Sequence, residues 1–278
     1  MSNGYVMLAQ NSLHDYVLQA CACAMSIHAT NKDAKVSIIT NDVVPEKYKQ
    51  LFDNIIDIPW SDSASTSDWK VENRWKIYHA SPYEKTTVLD TDMLVLQDIS
   101  GWQTFLDQYD FFITNKVFDY RNNQITSDYY RKAFTANNLP NVYVGYHYFR
   151  KGDFSKDFYK WMELISNNWE LFYGKFVSEK YPKRQSMDVT AALTTKILNC
   201  ETQITNNTIK HPSFTHMKPM IQGWNTPMEQ WQKKVGAYFT DDLKLYIGNH
   251  LQSGIFHYTE KDFLKESIVQ KYEKVLGI

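Results

Sequence analysis

The sequence has 278 residues, which is enough for one large domain or two small ones. Hydrophobic residues make up 43% and charged residues 22%, an ordinary globular balance, and the net charge of −1 excludes a bulk electrostatic attraction to nucleic acid or to an anionic membrane. No apolar run reaches membrane-spanning length and the first residues show no signal-peptide pattern, so we expect a protein without a membrane span.

Strands and helices alternate in the first third of the chain. Apolar runs predict strands at residues 5–9, 36–40, 55–58 and 86–96. Helical spacing of apolar residues, together with proline and charge signals, predicts intervening helices at residues 13–27, 45–53 and 72–80. This alternation predicts an α/β fold with a mostly parallel sheet, whose ligands bind outside the carboxyl ends of the strands.

The remaining chain is less regular. Strands are predicted at residues 111–114, 142–149 and 255–258, and helices at 154–172, 187–198 and 261–276, with a loop at 199–208. There is no internal repeat and no long linker, so we expect one domain over residues 1–278.

The three cysteines, Cys21, Cys23 and Cys200, are expected to be free thiols. The first two lie two positions apart on a predicted helix, where side chains do not face each other. Free thiols are typical of a reducing compartment, so we expect a cytoplasmic protein.

Two carboxylates, Asp90 and Asp92, interrupt the apolar run at residues 86–96. A buried charge without a partner costs several kcal/mol or becomes neutral, and two like charges cost more. Side chains alternate along a strand, so both carboxylates are expected on the same side, with Thr91 on the other. A bound divalent cation would keep both ionised.

Several segments in order resemble the GT-A glycosyltransferases, especially the family-8 type related to glycogenin and galactosyltransferases. The resemblance covers most of residues 4–261. The segments that carry it are an N-terminal strand with its polar turn, Arg74-Trp75-Lys76, the run from Val88 to Val95 around Asp90 and Asp92, Val142-Tyr143-Val144-Gly145, Gln185-Ser186-Met187-Asp188, and His257.

The resemblance implies a GT-A, Rossmann-like mixed sheet, mostly parallel and flanked by helices. It implies a nucleotide-sugar-binding half at residues 1–100 and an acceptor-binding half at 101–278 with a C-terminal metal ligand. The implied reaction moves a hexose or pentose from a nucleotide-diphosphate sugar, a UDP-sugar, to an acceptor hydroxyl with retention at the anomeric carbon. The implied cofactor is Mn²⁺ or Mg²⁺, and an imidazole ligand favours Mn²⁺.

Site residues follow from the resemblance. The implied metal ligands are Asp90, Asp92 and His257, and the implied catalytic residue is Asp188. Gly145 and Gln185 are assigned to the sugar or acceptor. The nucleotide-sugar contacts are assigned to Ala9, Gln10, Asn11, Tyr16, Arg74, Lys76, Asp90, Thr91 and Lys261. Lys261 follows His257 by four residues, whereas the family pattern places its lysine six residues after the histidine.

Plainer interpretations stay open for several of these residues. Asn11 can be a helix cap, Tyr16 a core aromatic, and Asp188 a carboxylate stabilised by the N-terminus of its helix. Arg74 and Lys76 can form a solvated helix face.

Two other functions also stay open. An Asp-x-Asp pair after an apolar strand occurs in haloacid-dehalogenase-like Mg²⁺-dependent phosphatases, where the first aspartate is the nucleophile. A non-catalytic nucleotide-sugar-binding protein is the second alternative. The acceptor is not indicated by the sequence; a glycan, a lipid-linked sugar, a protein and a modified nucleic-acid base are all compatible.

Overall fold

The computed structural model describes residues 2–68, 70–126, 129–218 and 230–278. Its strands are β1 (Asn3–Leu8), β2 (Val36–Ile39), β3 (Asn54–Ile56), β4 (Lys85–Leu89), β5 (Met93–Val95), β6 (Phe111–Thr114), β7 (Val117–Phe118), β8 (Tyr143–Arg150), β9 (Phe214–His216), β10 (Ala237–Phe239), β11 (Leu245–Ile247), β12 (His250–Leu251) and β13 (Ile255–His257).

The helices are α1 (Tyr16–Thr30), α2 (Ile77–Ala80), α3 (Trp102–Leu106), α4 (Lys132–Ala136), α5 (Asp153–Asn167), α6 (Trp169–Phe176), α7 (Met187–Leu198), α8 (Glu201–Ile204) and α9 (Glu266–Leu276). Shorter 3₁₀ turns occupy Glu46–Leu51, Arg74–Lys76, Tyr129–Arg131, Trp231–Lys233 and Lys261–Phe263. Within the described ranges, no helix combines the length and the apolar character that a membrane crossing requires.

A six-stranded sheet in the order β3-β2-β1-β4-β8-β6 forms the centre of the fold. The first four strands are parallel, and β8 is antiparallel to both of its neighbours. The predicted α/β class with a mostly parallel sheet is therefore confirmed. The strand that follows β4 in the chain, β5, belongs to a second sheet with the order β5-β13-β9-β7. Strands β10, β11 and β12 form a small antiparallel sheet.

Two apolar clusters are divided by the central sheet, and β8 contributes to both. Tyr146 and Tyr148 belong to the cluster that includes α1 and α9, whereas Val144 and Phe149 belong to the cluster that includes α5 and α7. Alternation of side chains along a strand explains the opposite placement of Tyr148 and Phe149. Val144 breaks the alternation because the pairing of β8 with β6 shifts register between Tyr143 and His147. Because each fully buried large apolar side chain contributes about 1.5–3 kcal/mol, β8 helps to fix both halves of the core.

Several predicted boundaries were wrong for local reasons. The helix predicted from residue 13 begins at Tyr16, because the Asp15 carboxylate caps it by accepting from the Leu18 N–H at 2.8 Å. The predicted helix at 154–172 is two helices, α5 and α6, with Asn168 between them. The loop predicted at 199–208 contains α8. The helix predicted at 45–53 is a 3₁₀ turn, and the helix predicted at 72–80 is a 3₁₀ turn followed by α2.

The prediction of one continuous strand over residues 86–96 was also wrong. The strand ends at Leu89, Asp90 to Asp92 form a turn, and the chain continues as β5 in the second sheet. The two aspartates are therefore not strand residues, and the alternation of side chains along a strand does not determine their directions. They lie where the chain passes from one sheet to the other, at the carboxyl end of β4.

Candidate active site

The turn between β4 and β5 is fixed by backbone hydrogen bonds on both sides. The Asp90 N–H donates to the Gly145 carbonyl of β8 at 2.9 Å, and the Tyr258 N–H donates to the Asp92 carbonyl at 3.2 Å. Neighbouring strands of both sheets thus hold the two acidic residues in place. The backbone of the acidic turn is therefore fixed before any ligand binds.

Asp92 is buried and is held by two cationic or potentially cationic side chains from the C-terminal region. Its Oδ2 accepts from His257 Nε2 at 2.9 Å and from Lys261 Nζ at 2.5 Å. Burial alone would raise the pKa of Asp92, but His257 and Lys261 outweigh burial and hold that pKa well below its ordinary value. The carboxylate is therefore ionised at neutral pH.

Strand pairing explains how His257 reaches Asp92. Strand β13 runs antiparallel to β5 and places His257 opposite Met93, the residue after Asp92. The two residues are 165 positions apart in the chain, so only the tertiary fold makes this contact. The C-terminal strand predicted at residues 255–258 does return beside the acidic turn.

Asp90 forms an ion pair with Arg74, whose guanidinium is also largely buried. Burial would lower the pKa of Arg74, but the Asp90 carboxylate outweighs it and raises that pKa. Gly145 faces the same carboxylate: a Cβ at this position would lie 2.9 Å from Asp90 Oδ2. Only glycine leaves Asp90 its present position.

Asp90, Asp92 and His257 each offer a ligand atom within 4.8 Å of the other two. Two carboxylates and one imidazole form a donor set suited to Mn²⁺ or Mg²⁺, and the imidazole favours Mn²⁺. Arg74 and Lys261 supply the positive charge that these carboxylates need when no ion is bound. The three side chains therefore fit a divalent metal site.

A cavity of about 750 Å³ opens beside this group. Its lining includes eleven of the residues predicted for the site: Gln10, Tyr16, Arg74, Asp90, Thr91, Asp92, Gly145, Gln185, Asp188, His257 and Lys261. Lys261 Nζ also lies 5.2 Å from the centre of the Tyr16 ring. The structure thus brings residues from both halves of the chain around one cavity.

Three predicted nucleotide-binding residues lie outside the cavity lining and have structural contacts. Ala9 is buried and its N–H donates to the Ile39 carbonyl, so it belongs to the sheet. Asn11 Oδ1 accepts from the Val17 N–H at 3.0 Å, which is the plainer capping role. Lys76 is almost fully buried and its ammonium donates to the Ser61 carbonyl. The alternative interpretation of Lys76 as part of a solvated helix face is therefore wrong.

Asp188, in the first turn of α7, lines the cavity but has both oxygens engaged. Oδ2 pairs with Arg131 Nη2 at 3.0 Å, and Oδ1 accepts from the Val144 N–H at 2.8 Å. Gln185, just before this helix, has a buried Nε2 with no hydrogen-bond partner among the described residues. An unsatisfied buried donor beside a cavity is a candidate ligand contact.

Sequence reasoning missed other lining residues, of which His216 on β9 is the most central. Its ring stacks on that of His257 at 4.7 Å, because β9 and β13 pair in parallel with these two histidines in register. Burial, with His257 and Lys218 nearby, holds the pKa of His216 well below its ordinary value. A signal existed: residues 214–218 and 255–261 both run from apolar residues through a histidine to a lysine.

The missed lining residues also include polar and aromatic side chains whose segments gave no periodic signal. Among them are Lys70, Tyr130, Tyr181, Lys183, Arg184, Lys218, Gln230 and Glu260.

No protein-family model matches the chain, and no curated protein matches it. Among solved structures, the chain is similar to galactosyltransferase LgtC, described in complex with donor and acceptor sugar analogs. The two are 14% identical with a TM-score of 0.50, and the match covers 100% of this chain and 96% of LgtC.

Two more distant matches are also glycosyltransferases. Mouse xyloside xylosyltransferase 1 is 11% identical with a TM-score of 0.45, over 74% of this chain and 84% of the xylosyltransferase. The glycosyltransferase GlyE of Streptococcus pneumoniae TIGR4 is 14% identical with a TM-score of 0.44, over 74% of this chain and 46% of GlyE.

The fold is that of the GT-A glycosyltransferases, as the match to LgtC over nearly the full length of both chains shows. The resemblance and the fold class predicted from the sequence are confirmed.

Proposed function

We propose that the protein is a metal-dependent glycosyltransferase that moves a hexose or pentose from a nucleotide-diphosphate sugar, a UDP-sugar, to an acceptor hydroxyl. The observation that carries this proposal is the grouping of Asp90, Asp92 and His257 beside a 750 Å³ cavity in a GT-A fold. A cavity of this size is in the range of small-molecule sites. When bound to this group, Mn²⁺ or Mg²⁺ would supply positive charge that stabilises the leaving diphosphate.

The chain's own residues have separate proposed roles in donor binding. Gln10, Tyr16 and Thr91 would contact the nucleotide, because all three line the cavity near the acidic turn. Arg74 and Lys261 would hold the diphosphate, since both cations already lie on the carboxylates of that turn. Ala9, Asn11 and Lys76 would act indirectly, by fixing the strand end, the start of α1 and the segment that carries Arg74.

The proposed transfer breaks the bond between the anomeric carbon and the phosphate oxygen, and the nucleoside diphosphate leaves with the electron pair. The acceptor hydroxyl oxygen forms the new bond to the anomeric carbon, and its proton passes to an oxygen of the departing diphosphate. Retention, which the resemblance implies, would place the acceptor on the same face of the sugar as the leaving group.

Asp188, Gly145 and Gln185 are assigned to the transferred sugar. The two contacts of Asp188 with Arg131 and Val144 favour a positioning role in shaping this part of the cavity. Gln185 Nε2 would donate to a sugar or acceptor oxygen. Gly145 would leave room for Asp90 beside the sugar.

The phosphatase alternative is less well supported by this arrangement. It would need Asp90 as a nucleophile, but this carboxylate is ion-paired with Arg74, and the fold is that of GT-A glycosyltransferases. A non-catalytic binding protein would use the same cavity and differ only in turnover.

One experiment separates the three functions. The purified protein is tested for hydrolysis of UDP-glucose, UDP-galactose and UDP-xylose and of p-nitrophenyl phosphate, with Mn²⁺ or with chelator, while its melting temperature is followed with Mn²⁺, UDP and both. We expect Mn²⁺-dependent UDP-sugar hydrolysis and a larger shift with both ligands than the sum of the separate shifts, because the two would bind cooperatively. Additive or absent shifts, or hydrolysis of the phosphate ester alone, would contradict the proposal.

A further inference from the structure

A second cavity, of about 180 Å³, lies at the amino ends of β9 and β13, whereas the 750 Å³ cavity lies at their carboxyl ends. Phe214, the first residue of β9, lines both cavities, and His216, the last, lines the large one. Two residues of a strand span about 6.5 Å, so the two cavities are close neighbours. The second cavity is smaller than the sites of drug-sized ligands, which enclose about 300–1,000 Å³, so it suits an occupant about as large as one sugar ring.

The described lining of the second cavity carries no net charge. It contains one carboxylate, Asp119, and one ammonium, Lys210. The Asp119 carboxylate accepts from the N–H groups of Arg121 and Asn123, each at 2.8 Å, and Lys210 Nζ donates to Asn122 Oδ1. Both charged groups therefore have partners within the protein, and the lining favours an uncharged ligand.

Gln252 is a buried polar side chain on this lining, with 6% of its surface exposed. Its Nε2 donates to the Tyr120 and His250 carbonyls, each at 2.9 Å, so these two acceptors determine the orientation of the amide. Its Oε1 is then an acceptor to which no described residue donates. A ligand hydroxyl would supply the missing donor, whereas a phosphate or carboxylate would place a second acceptor against it.

His211 adds a second polar group of the same cavity. Its Nδ1 lies 3.0 Å from Ser213 Oγ, and its ring stacks on that of Trp102 with centres 5.3 Å apart. Burial, with Lys210 nearby, lowers the pKa of His211, so its imidazole is neutral at neutral pH. Its Nε2 has no hydrogen bond to a described residue. A neutral imidazole nitrogen either donates or accepts, and a sugar hydroxyl can do both, so the two are compatible in either tautomer.

An exposed row of three side chains leads from this cavity across the small antiparallel sheet. Tyr238 lies opposite Tyr246, and Tyr246 lies opposite Leu251, which lines the second cavity. We call these three residues the tyrosine row. The buried face of the same sheet carries Leu245 and Ile247. The solvent face of such a sheet is ordinarily polar, so a row of rings and alkyl groups there indicates a binding surface.

The geometry of the tyrosine row suits sugar rings. Tyr238 and Leu251 are 56% and 54% exposed, and the rings of Tyr238 and Tyr246 stack with centres 4.8 Å apart at 3°. Each ring of a stacked pair keeps one face for another partner. An aromatic ring with a hydroxyl combines an apolar body with a polar end, which matches a sugar ring with C–H groups on its faces and hydroxyls at its edge.

We infer that the second cavity and the tyrosine row form a carbohydrate-binding site outside the active site, which holds consecutive uncharged sugar residues of a glycan acceptor. This inference rests on the proposed glycosyltransferase function and specifies its acceptor. One sugar ring lies in the second cavity, where a hydroxyl donates to Gln252 Oε1, and the following rings lie on the tyrosine row. Because Phe214 lines both cavities, the same glycan is held close to the large cavity, in which transfer takes place.

The test measures glycan binding separately from donor binding. Calorimetric titration first establishes the binding of UDP to the protein with Mn²⁺. The labelled protein is then applied to a printed array of neutral and acidic glycans, and the neutral glycan that binds most strongly is titrated as a free oligosaccharide, with oligogalacturonate of the same length as an anionic comparison. We expect a neutral oligosaccharide of at least three residues to bind, and oligogalacturonate to bind at least about tenfold more weakly.

Two variants at exposed positions test the site itself. Ser253→Tyr places a bulky ring on the lining of the second cavity, and the double variant Tyr238→Ser with Leu251→Ser removes the apolar surface of the tyrosine row. We expect each to weaken oligosaccharide binding at least about tenfold. UDP binding with Mn²⁺ should stay unchanged, which also shows that the variants are folded.

Matched controls come from exposed positions outside both cavities. Ser267→Tyr repeats the first change on α9, and Leu171→Ser repeats the removal of an exposed apolar side chain on α6. Both should keep the wild-type affinities for the oligosaccharide and for UDP. Sedimentation velocity of the wild type and of the double variant reports whether the tyrosine row instead joins two copies of the chain.

Four outcomes would overturn the inference. They are no binding of any neutral glycan to protein that does bind UDP, binding of oligogalacturonate as tight as that of the neutral oligosaccharide, wild-type oligosaccharide affinity in Ser253→Tyr or in the double variant, and a dimer that only the double variant dissociates. The third would place the oligosaccharide elsewhere, and the fourth would assign the tyrosine row to a second copy. Failure of UDP to bind in the first titration would instead contradict the proposed function.

Discussion

The Lys261 ammonium lies 2.5 Å from Asp92 Oδ2, although 169 positions separate the two residues in the chain. The same carboxylate belongs to the group that fits a divalent ion. An ion that binds there must compete with the ammonium for Asp92. Lys261 is then available to the diphosphate, so one side chain would have a different partner before and after donor binding.

The competition can be measured with Lys261→Gln. We expect Mn²⁺ to bind the variant more tightly than the wild type when UDP is absent, by roughly tenfold, because the ion no longer displaces a charged hydrogen bond. With UDP present the order should reverse, since the variant lacks a cation for the diphosphate. Titration of Mn²⁺ by electron paramagnetic resonance, with and without UDP, gives both affinities.

Lys265→Gln is the control for this prediction, because Lys265 is exposed and lies one turn further along the chain. Its affinities should match those of the wild type. Unaltered Mn²⁺ binding in Lys261→Gln without UDP would show that the two cations do not compete.

Asp92→Asn should lower the rate of sugar transfer at least about a hundredfold, because the metal contribution is worth several kcal/mol. Neutralising one of two carboxylates stabilises a protein when the pair only repel each other, but here each carboxylate has its own cation. Removing one partner of a buried pair costs about 3–5 kcal/mol, so the free energy of unfolding should fall. Chemical denaturation and turnover assays report the two effects.

The exposed Asp33 provides the comparison for Asp92→Asn. Asp33→Asn should change neither stability nor turnover. An Asp92→Asn protein with wild-type turnover would remove the basis of the proposed metal site, and one with increased stability would contradict the pairing of Asp92 with Lys261.

Gly145→Ala should weaken Mn²⁺ binding and transfer while the protein stays folded. The added Cβ would lie 2.9 Å from Asp90 Oδ2 and 3.0 Å from Met93 Cε. The flexible methionine can move, but Asp90 is held by Arg74 and by its own backbone, so the carboxylate must leave its position. Gly152→Ala, where a Cβ meets no atom within 4 Å, is the matched control on the other end of β8. Equal Mn²⁺ affinities in the two variants would contradict this account.

His147 should make the protein less stable in mild acid. Burial lowers its pKa to about 4 from an ordinary value of 6.5. Between these pH values the unfolded chain binds a proton at His147 that the folded chain does not bind. The contribution of neutral His147 to the free energy of unfolding is therefore complete above about pH 6.5 and is lost as the pH falls toward about 4. The full difference corresponds to about 3 kcal/mol.

Denaturation curves at several pH values test the His147 prediction. Nδ1 lies 2.8 Å from the Val144 carbonyl and Nε2 lies 2.7 Å from the Tyr159 hydroxyl, so the neutral ring donates to the carbonyl and accepts from the tyrosine. His147→Gln should be less stable at pH 7 and show a shallower dependence on pH. His250→Gln, at an exposed position, should keep the wild-type dependence of the free energy of unfolding on pH. The same wild-type dependence in His147→Gln would show that His147 is not the group responsible.

Local sequence patterns were sufficient for the elements that strand and helix periodicity determine. The parallel strands, the acidic pair and the short C-terminal strand with His257 could all be predicted, because each has an apolar run with a polar interruption or end. The predictions that were wrong concern residues whose conformation or burial depends on neighbours that are distant in the sequence. Asp90 and Asp92 form a turn because β4 and β5 belong to different sheets, and Lys76 is buried because the Ser61 carbonyl accepts from it.

His216 and several other residues of the cavity lining were not predicted, because their positions depend on the tertiary fold. Tyr130 comes from a 3₁₀ turn, and Tyr181 and Arg184 come from the irregular segment before α7. Neither segment has apolar periodicity, and only the tertiary fold brings them to one cavity. His216 lies in a three-residue strand whose importance comes from its pairing with β13. Hydrophobic periodicity within one strand does not predict such pairing, and only the likeness of residues 214–218 to 255–261 pointed to it.

The pairing of β5 with β13 has a consequence for protein engineering. Strand β5 lies within residues 1–100, but its sheet neighbour and the helix α9 that packs against α1 come from the last 25 residues. Lys47 and Tyr48 also reach Glu273 at 2.7 and 2.6 Å. A fragment that ends at residue 100 would expose the edge of β5 and the apolar face of α1, which favours aggregation. Chimeras with other proteins of this fold would therefore have to exchange the two ends of the chain together.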